Sequence, residues 1–134
     1  MLPSLHDDFL ISYEVNCETR QIKLHAKRDP RRLVVGGEQT TRTIIFNGVE
    51  GYHFENDNFG NIIFSLEQVT VEQLLATYGS RIADSYRMAG AAGSWAADLT
   101  SAPQALMAVG IRGFILSSSY GLSGWVLANE ALVE

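Results

Sequence analysis

The sequence predicts an α+β fold, in which an antiparallel β-sheet carries one main amphipathic helix on a face and ends in a C-terminal β-hairpin. Three observations predict it: alternating apolar and polar residues over the first half, a change to helical spacing at Thr70, and a return to β-rich composition after Gly113. The chain reads as a single domain over residues 1–134, because it contains no linker and no internal repeat. Hydrophobic residues make up 46% of it, enough for a core without disulfides or metals.

The first two alternating segments predict an antiparallel hairpin with one face exposed to solvent. Apolar and polar residues alternate from Phe9 to Asn16, a polar turn follows as far as Arg20, and alternation resumes at Ile22. The apolar residues expected on one face of their own strand are Phe9, Ile11, Tyr13 and Val15 in the first, and Ile22, Leu24 and Ala26 in the second.

Three further strands are predicted before the helix. Residues 41–47 are β-rich, residues 52–55 alternate, and residues 61–69 alternate again. Residues 56–60 read Asn-Asp-Asn-Phe-Gly, a turn in which Gly60 and the asparagines tolerate positive φ. The apolar residues expected on one side of the last strand are Ile62, Phe64 and Leu66.

Two helices are predicted. The stretch from Thr70 to Gln73 fits a capping box, so the main helix begins there. Ser101, followed by proline two positions later, marks the start of a short helix that extends to about Ala108 and that Gly110 ends. The apolar stripe of the main helix consists of Val71, Leu74, Leu75, Tyr78, Ile82 and Tyr86.

The predicted C-terminal hairpin carries the candidate binding surface. Its strands are residues 113–116 and 125–128, and the serine- and glycine-rich tip between them contains the tyrosine and serine that binding loops favour. The candidate binding residues are Ser118, Tyr120, Leu122 and Trp125. The alternative is structural: the glycines form the turn, and Trp125 fills the core between sheet and helix.

Charge and composition exclude several classes of function. The formal net charge is −5 and the isoelectric point is about 5.1, which disfavours nucleic-acid binding. For the basic stretch 27–32 we favour a solvated loop over an anion-binding one, because no aromatic residues are interleaved. We see no export signal and no bilayer-spanning run, and the single cysteine, Cys17, suits a reducing compartment. The expected location is therefore the cytoplasm, with no membrane contact.

Two pairs of residues are the candidates for catalysis. His6 precedes Asp8 by two positions, and His53 precedes Glu55 by two, so in an extended chain each imidazole shares a face with its carboxylate. Such a pair can act as general acid and base or as two metal ligands. The alternative is that the carboxylates are solvated and the histidines make local hydrogen bonds.

A metal site is disfavoured. It would need His6, His25 and His53 to converge from three strands, and the ammonium groups of Lys23 and Lys27 flank His25 and oppose a dication. The sequence also has no phosphate-binding loop and no nucleophile elbow. We therefore expect no metal and no cofactor.

Several short motifs carry a family resemblance. They are Leu5-His6-Asp7-Asp8, two strands with a charged turn, Ile45-Phe46-Asn47-Gly48-Val49, Asn61-Ile62-Ile63-Phe64 and a late glycine hairpin. Their order resembles that in small bacterial proteins of unknown function, some of which are grouped with the immunity proteins of toxin–antitoxin or contact-competition systems. The resemblance implies a cytoplasmic non-enzyme that binds another protein.

Two functions remain open from the sequence. The first is a non-enzymatic protein-binding module, of immunity type or regulatory, whose acidic charge suits a cationic protein partner. The second is a small hydrolase-like enzyme that uses the two histidine–carboxylate pairs, if one concave pocket gathers them. We also predict a two-fold homodimer, because an open sheet leaves an edge strand and the small residues 90–97 allow close approach of two backbones.

Overall fold

A computed structural model describes residues 2–29, 41–88 and 95–134. Residues 30–32 of the predicted basic stretch and residues 90–94 of the small-residue segment lie outside these ranges. The described elements are β1 (Phe9–Asn16), β2 (Gln21–Lys27), β3 (Thr41–Asn47), β4 (Gly51–Glu55), β5 (Asn61–Val69), α1 (Val71–Met88), a 3₁₀ turn (Trp95–Ala97), α2 (Ala102–Ala108), β6 (Arg112–Tyr120), β7 (Ser123–Ala128) and β8 (Glu130–Val133).

The strands form one antiparallel sheet in the order β4-β7-β6-β5-β1-β2-β3-β8. With one main helix and one short helix, the predicted α+β class with an antiparallel sheet is confirmed. Within the described residues, no helix combines the length and the apolar character needed to cross a membrane.

The two ends of this sheet meet, because its end strands continue the strands beside them. β4 follows β3 after three residues, and β8 follows β7 after Asn129 alone. Asn47 pairs with Glu130 and Gly51 pairs with Leu127, so β3–β4 and β7–β8 run along each other as two long, bent strands. The Asn129 N–H donates to the Asn47 carbonyl at 3.0 Å within the bend. The sheet is therefore closed like a small barrel, where the sequence predicted an open sheet.

The interior of the barrel is one apolar core, to which the inward residues of β1, β2, β3, β5, β6 and β7 contribute. Phe46 of β3 and Phe114 of β6 meet edge to face across it, with ring centroids 5.2 Å apart. Its buried members are Leu5, Leu10, Ile22, Leu24, Ala26, Ile44, Phe46, Val49, Ile63, Leu66, Phe114, Leu116, Leu122, Val126 and Ala128.

A second core lies between the outer face of β6–β7 and the helices. Trp125 and Leu127 of β7 point outward into it, while Val126 points inward, so β7 is buried on both faces and reads as a continuous apolar run. Leu74 of α1 is fully buried there. The capping box is confirmed, because the Gln73 N–H donates to Thr70 Oγ1 and the Thr70 N–H donates to Gln73 Oε1, both at 3.0 Å.

Irregular strand pairing overturns two predicted faces. In β1 the register shifts between Leu10 and Ser12, so Leu10 enters the core while Ile11 is exposed. In β5 two register shifts place Ile63 and Leu66 in the core and leave Phe64 exposed. Strict alternation cannot anticipate an inserted residue, because each bulge reverses the faces that follow it.

The chain ends and turns also differ in detail from the prediction. β6 continues to Tyr120, and only Gly121 and Leu122 separate it from β7. Strand β8 was not predicted. The short helix begins at Ala102 as expected, but Ser101 makes no side-chain cap and its hydroxyl donates instead to the Asp98 carbonyl oxygen at 3.4 Å.

Candidate functional site

The turn between β4 and β5 presents an aromatic side chain to solvent. Phe59 is 98% exposed, and its backbone lies in the left-handed region with φ 61°. Left-handed backbone is unfavourable for a bulky residue, and such strain is most often found at functional sites. Of the residues expected to tolerate positive φ in this turn, Asn56 adopts it, at φ 67°, whereas Asn58 and Gly60 do not and Phe59 does.

Hydrogen bonds to Asp57 and Asn61 hold this turn. Asp57 Oδ1 accepts the Phe59 N–H and the Asn61 Nδ2–H, both at 2.9 Å, and Asp57 Oδ2 accepts the Tyr13 hydroxyl at 3.0 Å. These bonds hold the pKa of Asp57 below its ordinary value, with the Asn61 bond the largest cause, and the Asp57 bond raises the pKa of Tyr13. The ionised Asp57 carboxylate therefore stabilises the conformation of the turn.

Asn61 links this turn to the tip between β6 and β7. It is only 5% exposed, and its Oδ1 accepts the Asn58 N–H at 3.2 Å and the Leu122 N–H at 2.8 Å. A Cβ on Gly121, at φ 95°, would lie 2.0 Å from the same oxygen, so the close approach of the two turns requires glycine. The two turns form one rigid end of the barrel.

An exposed apolar patch lies next to the turn that carries Phe59, because a Cβ on Gly60 would lie 3.9 Å from Tyr120 Cε1. Phe9, Ile62 and Tyr120 lie directly opposite one another on β1, β5 and β6, on the outer face, because their neighbours Leu10 and Ile63 enter the core. Ile11, Phe64 and Tyr120 are 58%, 54% and 56% exposed. The helices pack near the other end of β6. We call these six residues the Phe59 patch: Phe9, Ile11, Phe59, Ile62, Phe64 and Tyr120.

The four candidate binding residues of the hairpin do not share one surface. Leu122 is in the barrel core, and Trp125 is in the outer core beside Tyr78, at a ring distance of 6.5 Å. Ser118 is half-buried, and its hydroxyl donates to the Leu122 carbonyl oxygen. Tyr120 alone is exposed, and it belongs to the Phe59 patch.

The first histidine–carboxylate pair is split by a turn. Asp7 has φ 65°, so the chain is not extended, and His6 and Asp8 do not project side by side. Asp8 is buried with Arg28 Nε 3.8 Å from its Oδ1, whereas His6 is exposed with its ring edge-on to Phe64.

The second pair lies on another part of the barrel. His53 Nε2 is 3.6 Å from Glu55 Oε2, and Arg81 Nη2 of α1 is 3.3 Å from that same oxygen. His53 is on β4 while His6 contacts β5, and two strands separate β4 from β5 in the sheet order. The fold therefore does not gather the four proposed catalytic residues into one pocket.

A groove of about 160 Å³ lies between β4 and α1. Its walls are mostly aromatic, and burial, followed by the nearby Glu50 charge, raises the pKa of Tyr86. The lining residues are Tyr52, His53, Tyr78, Arg81, Ile82, Ser85, Tyr86 and Trp125. Of the candidate catalytic residues, His53 is among them and His6, Asp8 and Glu55 are not.

The third histidine stabilises the pairing of three strands. His25 Nε2 lies 2.9 Å from Glu14 Oε1 and its Nδ1 lies 3.1 Å from Thr43 Oγ1, which links β2 to β1 and β3. The His25 bond is the main cause that lowers the pKa of Glu14. Within residues 2–29, 41–88 and 95–134, no cluster of three histidine, cysteine or acidic side chains could hold a metal ion.

Sequence reasoning missed Phe59. The signal available was an aromatic residue inside a turn otherwise made of asparagine, aspartate and glycine, where an apolar side chain has no core to enter. Its conformation depends on Asp57, which is held in part by Tyr13 from a strand 44 residues away, so φ could not be assigned from local pattern.

Searches with family models, among curated proteins and among solved structures gave no match to this chain. The proposals that follow are argued from its own geometry.

Proposed function

We propose that the chain is a non-enzymatic protein-binding module, of the immunity or regulatory kind in a bacterial cell, and that the Phe59 patch contacts its partner. The observation that carries the proposal is the conformation of Phe59, which is 98% exposed and lies at φ 61°, where its N–H donates to an Asp57 carboxylate that Asn61 also holds. The left-handed conformation costs free energy and adds nothing to the chain's own core. Burial of Phe59 against a partner would offset that cost.

The rigidity of the turn supports this role. A side chain that is already fixed in the binding conformation loses little entropy when it is buried at an interface. Tyr120 ends β6 next to Gly60, and Asn61 bonds the turn that follows Tyr120 to the turn that carries Phe59. Aromatic side chains on a rigid support are typical of the residues that dominate binding energy.

The charge near the patch indicates the chemistry of the partner. Asp57 lies two residues from Phe59, and Asp7 lies beside His6, which contacts Phe64. Together with the net charge of −5, these carboxylates favour a protein with a basic rim around an apolar pocket. The interaction should weaken as salt is added.

Affinity capture with matched baits tests the proposal. We expect the wild-type chain to retain a basic protein from an extract of its source cells and Phe59→Gly to lose it. Met107→Ala, which shortens an exposed apolar side chain on α2, should retain it. Equal retention of the same protein by all three baits would exclude the Phe59 patch as the contact, and retention of none by the wild type would contradict the binding function.

A further inference from the structure

The groove between β4 and α1 contains hydrogen-bond donors that the described part of the chain does not use. Trp125 lines the groove and is only 5% exposed, yet within residues 2–29, 41–88 and 95–134 its indole N–H donates to no group, and the nitrogen is not sealed from solvent. The half-buried Tyr86 hydroxyl lines the same groove and makes no hydrogen bond to those residues either. Buried indole and phenol groups normally find a partner, so these donors favour a ligand with oxygen acceptors.

Aromatic rings converge on one backbone position beside the groove. A Cβ on Gly51 would lie 3.3 Å from the Tyr86 hydroxyl and 3.5 Å from the rings of Trp95 and Trp125. The faces of aromatic rings carry partial negative charge, which attracts the C–H groups of a ligand ring. The rings of Tyr78 and Trp125 are inclined at 37° to each other, so they do not form a parallel slot for a flat ring such as a nucleobase.

The charges at the groove balance one another. Arg81 Nη2, at one side, is 3.3 Å from Glu55 Oε2. At the other side, the Glu50 charge adds to burial in raising the pKa of Tyr86, and Arg20 Nη1 is 3.2 Å from Glu50 Oε2. Each carboxylate is thus paired with a guanidinium, and neither an anion nor a cation would meet a complementary net charge. This balance suits an uncharged ligand.

We infer that this groove binds an uncharged sugar, whose ring lies against the aromatic walls while its oxygens accept from the Trp125 N–H and the Tyr86 hydroxyl. A volume of about 160 Å³ is below the roughly 300–1,000 Å³ of sites for drug-sized ligands and suits a single ring. A second groove of about 270 Å³ shares Tyr52 and Tyr86 with the first, which leaves room for a linked second sugar unit.

This sugar site is separate from the Phe59 patch. None of the six residues of the patch lines either groove. The two proposals can therefore fail independently.

Sugar titrations followed at Trp125 test the inference. The probes are methyl glucoside, methyl galactoside and N-acetylglucosamine, with maltose, lactose and chitobiose as disaccharides. The chain has two tryptophans, so a Trp95→Phe variant assigns the indole N–H resonance of Trp125. We expect that resonance to shift saturably with at least one probe, with a Kd of about 1 mM.

Two variants show whether the groove is the site. Tyr86→Phe keeps the ring and removes one hydroxyl, so we expect it to raise Kd about two- to tenfold. Ser80→Ala removes an exposed hydroxyl of α1 outside the groove and should leave Kd unchanged.

Three results would overturn the inference. The first is the absence of a saturable shift with every probe at about 100 mM, far above a millimolar Kd. The second is an unchanged Kd for Tyr86→Phe. The third is tighter binding of benzoate or choline than of every sugar, because the groove would then prefer a charged ligand.

Discussion

Asn61 Oδ1 accepts the Leu122 N–H at 2.8 Å, and this one bond links the Phe59 turn to the turn that follows Tyr120. Both groups are buried, so neither has water as a substitute partner. The amide also donates to Asp57 at 2.9 Å, which fixes the carboxylate that holds Phe59. The binding surface that we propose thus depends on a polar side chain below it.

Replacing this amide should loosen both turns. Asn61→Ala leaves the Leu122 N–H buried without its acceptor, which we expect to lower the free energy of unfolding by about 1–3 kcal/mol. Denaturant titration measures the loss. Asn58→Ala is the control, because its side chain is exposed and only its backbone N–H bonds to Asn61. Equal stability of the two variants would argue against the role of Asn61.

Removing the strained aromatic residue should not weaken the fold. Left-handed backbone costs a residue with a Cβ roughly 1–2 kcal/mol, and glycine returns about 0.5–1 kcal/mol of that as extra chain entropy in the unfolded state. Because Phe59 buries almost nothing, we expect Phe59→Gly to be as stable as the wild type or up to about 1 kcal/mol more stable. Thermal and denaturant unfolding test this. A clear loss of stability would mean that Phe59 packs against the chain itself.

Asp57 should make the turn sensitive to acid. Its pKa is lower in the folded chain than its ordinary value of 3.8, so its stabilising effect is present above pH 3.8 and is lost as pH falls through the lower, folded value. The difference in unfolding free energy between wild type and Asp57→Asn should therefore shrink as pH is lowered through that range. Glu14 and Asp98 have lowered pKa values too, but both chains contain them, so their contributions cancel. A difference that stays constant from neutral pH to pH 2 would contradict the assignment.

The barrel should be intolerant of a methyl group at Gly124 and tolerant of one at Gly60. A Cβ on Gly124 would lie 1.8 Å from the His53 carbonyl oxygen of β4, and backbone cannot easily move aside. We expect Gly124→Ala to cost about 1–3 kcal/mol or more. A Cβ on Gly60 would approach nothing closer than Tyr120 Cε1 at 3.9 Å, so Gly60→Ala should be neutral. Urea titration of the two variants compares them directly, and similar midpoints would show that β4 does not pack on β7 as described.

The sequence was most informative where neighbouring residues decide the structure. The bounds of β3 and β5 and the capping box at Thr70 follow from local pattern, and they agree with the structure. β8 could not be predicted, because Asn129 alone separates it from β7 and no turn residues mark the break. The closure of the sheet could not be predicted either, because it depends on pairing between strands that are far apart in the sequence.

The candidate site was less predictable than the fold. Tyr120 was identified from the composition of the hairpin, and it is exposed in the Phe59 patch. Trp125 and Leu122 have the same composition signal but are buried in the two cores. Trp125 lies in β7, which is buried on both faces and so has no period that reveals its burial, and Leu122 lies in the turn before it. The two histidine–carboxylate pairs were predicted from their spacing in an extended chain. His6 and Asp8 do not form such a pair, because the chain turns at Asp7.

The most direct test of the binding surface is a titration of the purified partner onto the wild-type chain and onto Phe59→Gly, with Met107→Ala as the control. A buried aromatic anchor contributes on the order of 2 kcal/mol or more, so we expect Kd to rise at least about tenfold for Phe59→Gly and to stay unchanged for Met107→Ala. Because Phe59→Gly should keep its full stability, such a loss would come from the missing contact. An unchanged Kd for Phe59→Gly would contradict the account.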